Sequence, residues 1–81
     1  MKIIAKNIKH LRSLKKLSQE ALAEELSITR SRIGSYEENR SSPTIEVLIK
    51  LSDYFKIPID ILLRNDLTKS KDSSFIEIGI R

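Results

Sequence analysis

Residues 30–35 carry the side chains best suited to recognise another molecule. If Ile33 faces a core and each residue turns the helix by about 100°, the other side chains of this segment point outward. The outward face consists of Arg30, Ser31, Arg32, Gly34 and Ser35. Arginine can donate two hydrogen bonds to a guanine edge, serine can donate or accept one, and glycine removes bulk, so the face suits a DNA major groove. A plain solvated helix surface has the same residue types, so the segment alone leaves that alternative open.

The residue groupings that catalysis or metal binding would need are missing from the sequence. There is no cysteine, and the single histidine, His10, lies in a stretch rich in Lys and Arg, without an acidic or nucleophilic partner at fixed spacing. The carboxylates show no metal-ligand grouping, and no glycine-rich phosphate loop is present. We therefore predict that the protein is not an enzyme and uses no metal or cofactor, and that His10 has no specific role.

Basic charge is concentrated in the first half of the chain. Residues 1–40 hold nine Lys or Arg and five Asp or Glu, whereas residues 41–81 hold six of each sign. The net charge of +4 therefore lies where a polyanion would bind, although a basic surface can also serve solubility. The lack of cysteine, of a signal peptide and of any apolar run near the roughly 20 residues of a membrane span predicts a cytoplasmic protein without membrane contact.

Helices must position the polar face, and the apolar spacing predicts five of them. Their expected ranges are residues 3–16, 19–26, 30–38, 45–55 and 59–64. Ser18, Thr29 and Thr44 each precede a helix and can accept a hydrogen bond from its first turn. Pro58 is compatible with the start of the fifth helix. The fourth helix is expected to be buried through Ile45, Leu48 and Leu51, with either Tyr54 or Phe55 completing the face. The length of 81 residues suits a single domain.

The second and third helices are short, capped and joined by only Ser27, Ile28 and Thr29. This spacing makes two helices cross at a steep angle. The crossing needs a small side chain where the backbones meet, and Ala23 supplies it. Apolar residues on both sides of the turn would fix the angle by packing on the other helices; they are Leu22, Leu26, Ile28, Ile33 and Tyr36.

The remainder of the chain changes character after residue 64. We predict a helical domain over residues 1–64, a polar linker over residues 65–74 and a tail over residues 75–81. In the tail, Ile76, Ile78 and Ile80 alternate with other residues, which is the only strand pattern in the sequence.

Many individual positions match a known family. The matching residues are Ile8, Leu11, Arg12, Leu17, Ser18, Gln19, Glu20, Leu22, Ala23, Leu26, Ile28, Ile33, Tyr36, Glu37, Pro43, Leu48, Leu51, Tyr54, Phe55, Lys56, Ile57, Asp60, Leu62 and Leu63. The chain resembles the phage-repressor-like (XRE/Cro-type) helix-turn-helix family of DNA-binding proteins over residues 4 to about 64. The resemblance implies an all-α, five-helix, lambda-repressor-like bundle that places its third helix in the major groove as a homodimer.

The resemblance also implies roles for single residues. Gln19 matches a position that contacts a backbone phosphate. Arg30, Ser31 and Ser35 match positions that read bases, and Arg32 matches one that contacts phosphate or flanking bases. Asn39 and Arg40 match the loop that approaches the DNA backbone. The expected function is sequence-specific transcription regulation at the nucleoid, as a repressor bound to a near-palindromic operator.

Two further features concern the scaffold of this family. Arg12 and Glu37 match a structural ion pair between the first helix and the end of the third. Ser27 and Asn39 stand where the family usually has glycine, in turns that favour a positive φ. Asparagine tolerates that conformation, but serine is disfavoured by roughly 1 kcal/mol or more. We therefore expect the turn at Ser27 to differ slightly from the family's turn geometry. Such a difference would also change the tilt of the third helix.

The tail leaves a second function open. Small domains of this family can serve as antitoxins that bind a toxin and repress their own operon. The segment of residues 75–81 could pair with a sheet edge of a toxin, form a strand between two copies, or begin a further domain, since the chain also resembles the N-terminal part of longer repressors. A frayed tail is the fourth interpretation.

Overall fold

The computed structural model describes residues 2–69, and these form five helices without a strand. The helices are α1 (Lys2–Leu14), α2 (Gln19–Leu26), α3 (Arg30–Glu37), α4 (Ile45–Phe55) and α5 (Ile59–Arg64). The predicted all-α, five-helix architecture is confirmed. The strand predicted for residues 75–81 lies outside the described residues, as does the end of the predicted linker. None of the helices in residues 2–69 has the length and apolar character to cross a membrane.

Side-chain caps fix where three of the helices begin. The hydroxyl of Ser18 accepts a hydrogen bond from the backbone N–H of Ala21 at 3.0 Å. Thr29 and Thr44 accept equivalent bonds at 3.3 Å from the N–H groups three residues further on. Each cap satisfies a backbone donor that the first turn of a helix leaves unpaired. The three predicted helix starts therefore agree with the structure.

One contiguous apolar core joins the five helices. Its fully buried members include Leu11 of α1, Leu22 of α2, Ile33 of α3 and Phe55 of α4. Phe55, rather than Tyr54, completes the buried face of α4. The predicted burial of Ile45 was wrong, since this first residue of α4 is 67% exposed and Val47 packs in the core instead. Tyr54 is half-buried, and its ring lies 4.4 Å from the ammonium group of Lys15, a favourable cation–π distance.

Four helices end in the same turn, in which a residue other than glycine adopts the left-handed conformation. These residues are Lys16, Ser27, Asn39 and Lys56, with φ between 56° and 60°. At the end of α2, Ser27 donates to the carbonyl of Glu24 and Ile28 donates to the carbonyl of Ala23, which is the Schellman pattern of hydrogen bonds. Ser27 thus adopts the left-handed conformation that glycine would favour. The expected departure from the family's turn geometry is not seen at this residue.

Replacing Ser27 with glycine should stabilise the domain by about 0.5–1 kcal/mol, because glycine adopts a positive φ without steric cost. The gain from Asn39→Gly should be smaller, since asparagine already tolerates this conformation. Urea unfolding would measure both changes as a higher midpoint at unchanged slope. Ser52→Gly within α4 is the matched control and should be destabilising. A lower midpoint for Ser27→Gly would contradict the strain assigned to this turn.

The chain that follows α5 packs against α1. Asn7 is fully buried, and its amide nitrogen donates to the carbonyl oxygens of Leu62 and Asn65, both at 2.8 Å. The amide oxygen of Asn7 accepts from the backbone N–H of Leu67 at 2.9 Å, and Leu67 is fully buried. Residues 65–67, predicted as the start of a polar linker, are therefore part of the packed unit. The packing thus extends at least to Leu67, past the predicted boundary at residue 64, and the division of the rest of the chain into a linker and a tail stays a prediction.

Asp66 lies within this docked segment and forms a local turn. The hydroxyl group of Thr68 and the backbone N–H of the same residue both donate to the carboxylate of Asp66. These bonds lower the pKa of Asp66, and the bond from the hydroxyl group has the larger effect. The ammonium group of Lys6 lies 3.8 Å from the same carboxylate. Both ends of the ion pair have access to water, so this pair adds little stability beside the buried Asn7 bonds.

Candidate nucleic-acid interface

The connection between α2 and α3 sets how α3 is presented. Ser27, Ile28 and Thr29 separate the two helices, and Ala23 and Ile33 are both buried in the core. Tyr36 is buried as well, so α3 is anchored on the side that carries residues 33 and 36. The inward position predicted for Ala23 and Ile33 agrees with the structure. As a result, the polar residues at the start of α3, Arg30, Ser31 and Arg32, are exposed.

A surface cleft of about 380 Å³ lies on this polar side, and we call it the α3 cleft. It is lined by Gln19, Arg30, Ser31, Gly34, Ser35, Glu38 and Arg40. Five of the seven residues predicted to contact DNA therefore converge on one concave surface. Arg32 and Asn39 do not line it. Arg30 and Ser31 are exposed, and Ser35 is half-buried. The α3 cleft carries two guanidinium groups, two hydroxyl groups and one side-chain amide. All of them can donate hydrogen bonds to base edges or phosphate oxygens.

Gly34 lines the α3 cleft together with Ser31 and Ser35, but it is not exposed as the helical wheel predicted. It is buried, and a Cβ atom built on it would lie 3.7 Å from Oε1 of Gln19. That distance is an ordinary van der Waals contact. Gly34 therefore forms part of the lining where α2 approaches α3. A helical wheel places a residue around one helix, but only the packed position of α2 shows that this residue is covered.

The side chain of Arg32 lies along α3 because it contacts Tyr36 of the same helix. Its Nε donates to the hydroxyl of Tyr36 at 3.1 Å, and its guanidinium carbon lies 5.9 Å from the centre of that ring. The bond also satisfies the hydroxyl of the buried tyrosine. Arg32 thus lies outside the α3 cleft while its remaining guanidinium donors stay near solvent, since the residue is exposed.

Arg12 and Glu37 meet in the arrangement expected of a structural ion pair. Nε and Nη2 of Arg12 donate to the two carboxylate oxygens of Glu37 at 2.7 and 3.0 Å. A third donor, Nη1, reaches the carbonyl of Leu17 at 2.8 Å. The side chain of Glu37 is only 3% exposed and that of Arg12 is 15% exposed. The hydrogen bonding of Arg12 to Glu37 raises the pKa of Arg12, burial opposes this effect, and the attraction between the two charges adds to it.

Gln19 is attached to the same ion pair. Its Nε2 donates to Oε1 of Glu37 at 3.1 Å, while the side chain lines the α3 cleft. One amide hydrogen of Gln19 is therefore bound to Glu37. The Gln19 side chain also lines the cleft together with Arg30 and Ser35. The sequence did not predict this bond, because it joins residues 18 positions apart whose side chains meet only after α2 and α3 pack.

Two residues near the predicted contacts were also missed from sequence. Glu38 lines the α3 cleft, and its carboxylate lies 3.2 Å from Nε of Arg40. Lys9 of α1 shares a second surface cavity, of about 470 Å³, with Glu38 and Asn39. The alternation of Lys with apolar residues in α1 predicts that Lys9 is exposed. Its nearness to the end of α3 depends on how the two helices pack.

A bundle of five helices whose second and third are short, capped and joined by a three-residue turn defines a helix-turn-helix domain. Comparison with known protein families matches residues 8–62 of the chain to the helix-turn-helix family. The chain therefore belongs to this family, and the family predicted from its sequence is confirmed.

Several curated proteins are similar to the chain. It is 37% identical over 59 residues to the HTH-type transcriptional activator BcrR of Enterococcus faecalis, covering 73% of this chain and 29% of that protein. It is 33% identical over 64 residues to the uncharacterized HTH-type transcriptional regulator YqaE of Bacillus subtilis, covering 79% of this chain and 55% of that protein. It is 28% identical over 71 residues to the HTH-type transcriptional regulator ImmR of Bacillus subtilis, covering 88% and 56%.

The chain thus spans little more than half the length of two of these relatives and less than a third of the other. No solved structure was found to match the chain.

Proposed function

We propose that the chain is a sequence-specific, DNA-binding transcription regulator and not an enzyme, with α3 lying in the major groove. The observation that carries the proposal is the convergence of Arg30, Ser31, Ser35, Gln19 and Arg40 on the α3 cleft. Membership of the helix-turn-helix family and the names of the relatives, which describe transcriptional regulators, support it. The protein would act where the DNA is, at the nucleoid.

The two kinds of DNA contact fall to different residues. Arg30, Ser31 and Ser35 occupy α3 itself, the element that fits the major groove, and they read base edges. Gln19 lies beside the N-terminus of α2, whose free N–H groups attract phosphate. Asn39 and Arg40 contact the DNA backbone, and Arg32 contacts phosphate or flanking bases. Backbone contacts position the protein, whereas base contacts select the sequence.

The regulator binds a near-palindromic operator as a homodimer and acts as a repressor. Two copies related by a twofold axis would place their α3 helices in successive major grooves, roughly 34 Å apart. The resemblance to phage repressors supports both the pairing and the sign of regulation. Sedimentation with and without a selected duplex would measure the number of copies bound. A single copy on an operator without symmetry would contradict the homodimer.

Selection from random duplexes, followed by footprinting, tests the function itself. We expect an enriched sequence with twofold symmetry and an affinity that falls steeply with salt. The slope of log affinity against log salt is about −0.9 for each phosphate neutralised, and several basic residues surround α3. Enrichment of no sequence, or an affinity independent of salt, would refute the proposal.

Arg30→Ala and Gln19→Ala should weaken binding in different ways. Loss of a bidentate base contact should reduce discrimination at one position of the operator by about 1–3 kcal/mol. Loss of Gln19 should weaken binding to all duplexes by a similar factor, since a phosphate contact carries no sequence information. Dissociation constants for the operator and its single-base variants measure both effects. The opposite pattern would show that the two roles are exchanged.

The antitoxin function stays a prediction, because it depends on residues 75–81, which lie outside the described residues. Co-purification of a stoichiometric toxin-like partner from cells, abolished by removal of these residues, would support it. A complete footprint by the isolated chain would instead favour a simple regulator.

A further inference from the structure

Glu38 is the one acidic residue among the described residues that line the α3 cleft. It directly follows the last residue of α3, and its side chain is 63% exposed. The cleft otherwise carries two arginines, two serines, a glutamine and a glycine. A carboxylate on a surface that binds a polyanion opposes binding unless a cation holds it.

The partner of this carboxylate is Arg40. Oε1 of Glu38 lies 3.2 Å from Nε of Arg40, and the Arg40 side chain is also 63% exposed. An ion pair this exposed contributes little to folding stability. The pair therefore has no evident structural purpose, in contrast to the buried pair formed by Arg12 and Glu37.

We propose that Glu38 limits the affinity for DNA by competing with phosphate for the guanidinium group of Arg40. This inference rests on the DNA-binding function proposed above, in which Arg40 contacts the DNA backbone. To bind phosphate with its full set of donors, Arg40 must leave the carboxylate of Glu38, which cancels part of the gain. The effect is independent of sequence, since neither partner of this exchange reads a base.

The isosteric variant Glu38→Gln tests the proposal, because it removes the charge while retaining a hydrogen-bond acceptor. We expect it to bind both the selected operator and an unrelated duplex about fivefold more tightly, the factor expected for one unit-charge interaction at contact distance in water. The salt dependence should become steeper by about one unit of slope. Thermal unfolding should change little, since both side chains of the pair are exposed.

Glu25→Gln is the matched control. It makes the same change in net charge, but Glu25 lines a different cavity, together with Lys50 and Asp53 of α4. We expect less than a twofold change in affinity for either duplex. An equal gain in both variants would show that net charge alone is responsible and would overturn the role of Glu38.

A double variant decides whether Glu38 acts through Arg40. In an Arg40→Gln background, Glu38→Gln should tighten binding by a smaller factor, because only the direct repulsion between the carboxylate and phosphate remains to be removed. An undiminished gain in this background would overturn the proposal, as would weaker binding of the operator alone, which would assign Glu38 a contact with a base. If the unmodified chain binds the operator with a steep salt dependence, these outcomes reject only the role of Glu38. If it binds no duplex, both proposals fail.

Discussion

Replacing Glu37 with alanine should destabilise the domain by about 3–5 kcal/mol, because the guanidinium group of Arg12 would then lose its partner in a largely buried site. Glu37 accepts two hydrogen bonds from Arg12 and one from Gln19, and its side chain is 3% exposed. A domain of this size has a total stability of only about 4–12 kcal/mol. Urea unfolding monitored by circular dichroism would measure the loss.

Two controls isolate the ion pair from other effects of the substitution. Glu38→Ala removes the neighbouring, exposed carboxylate and should change stability by less than about 0.5 kcal/mol. The double variant Arg12→Met, Glu37→Leu should be less destabilised than Glu37→Ala alone, since it leaves no buried charge unpaired. A loss below about 1 kcal/mol for Glu37→Ala would mean that the two groups behave as independent solvated charges.

The Glu37 substitution also bears on DNA binding, because Glu37 holds the amide of Gln19 beside the α3 cleft. We expect the double variant Arg12→Met, Glu37→Leu, where the domain remains folded, to weaken binding to all duplexes as Gln19→Ala does, because it leaves no acceptor for the Gln19 amide. The ion pair thus couples the scaffold to a predicted phosphate contact.

Replacing Asn7 with alanine should cost about 3–4 kcal/mol, since each buried polar group left without a partner costs about 1–3 kcal/mol. The substitution removes the donor to the carbonyls of Leu62 and Asn65 and the acceptor for the N–H of Leu67. Partial hydration of the freed segment should offset some of this cost. Chemical unfolding would measure the change in stability.

Hydrogen exchange provides an independent test of the same contact. The amide of Leu67 should be protected in the unmodified chain and should lose most of its protection in Asn7→Ala. Lys6→Ala, which removes the exposed neighbour that lies near Asp66, is the control and should leave both stability and protection almost unchanged. Rapid exchange of the Leu67 amide in the unmodified chain would contradict the docking of residues 65–67.

Features that depend on local spacing were predictable from the sequence. Ser18, Thr29 and Thr44 cap helices through bonds to residues three positions further on, and such bonds depend on the order of residues rather than on the fold. The apolar period of a helix likewise follows from its own sequence, so the inward position of Ile33 was predictable. The sequence instead suggested a departure from the family's turn at Ser27, whereas the structure keeps the positive φ there, and the apolar Ile28 that follows it packs against the core.

The candidate interface was predictable only in part. Residue types and the family resemblance pointed to Gln19, Arg30, Ser31, Ser35 and Arg40, and the structure places these five around one cleft. Their roles toward DNA stay predictions. The cleft itself, with Glu38 among its lining residues, could not be predicted, because its walls come from α2, from α3 and from the turn that follows α3.

The sequence by itself determined the helices, their caps, the short turn between α2 and α3 and the family, because each depends on neighbouring residues or on a linear pattern. Only the tertiary structure decided that Phe55 is buried rather than Tyr54, that Gly34 is covered by Gln19, and that Asn7 holds Leu67 across 60 positions of chain. These contacts join segments far apart in sequence. Their energies depend on burial and on the meeting of particular atoms, and both arise only when the helices pack.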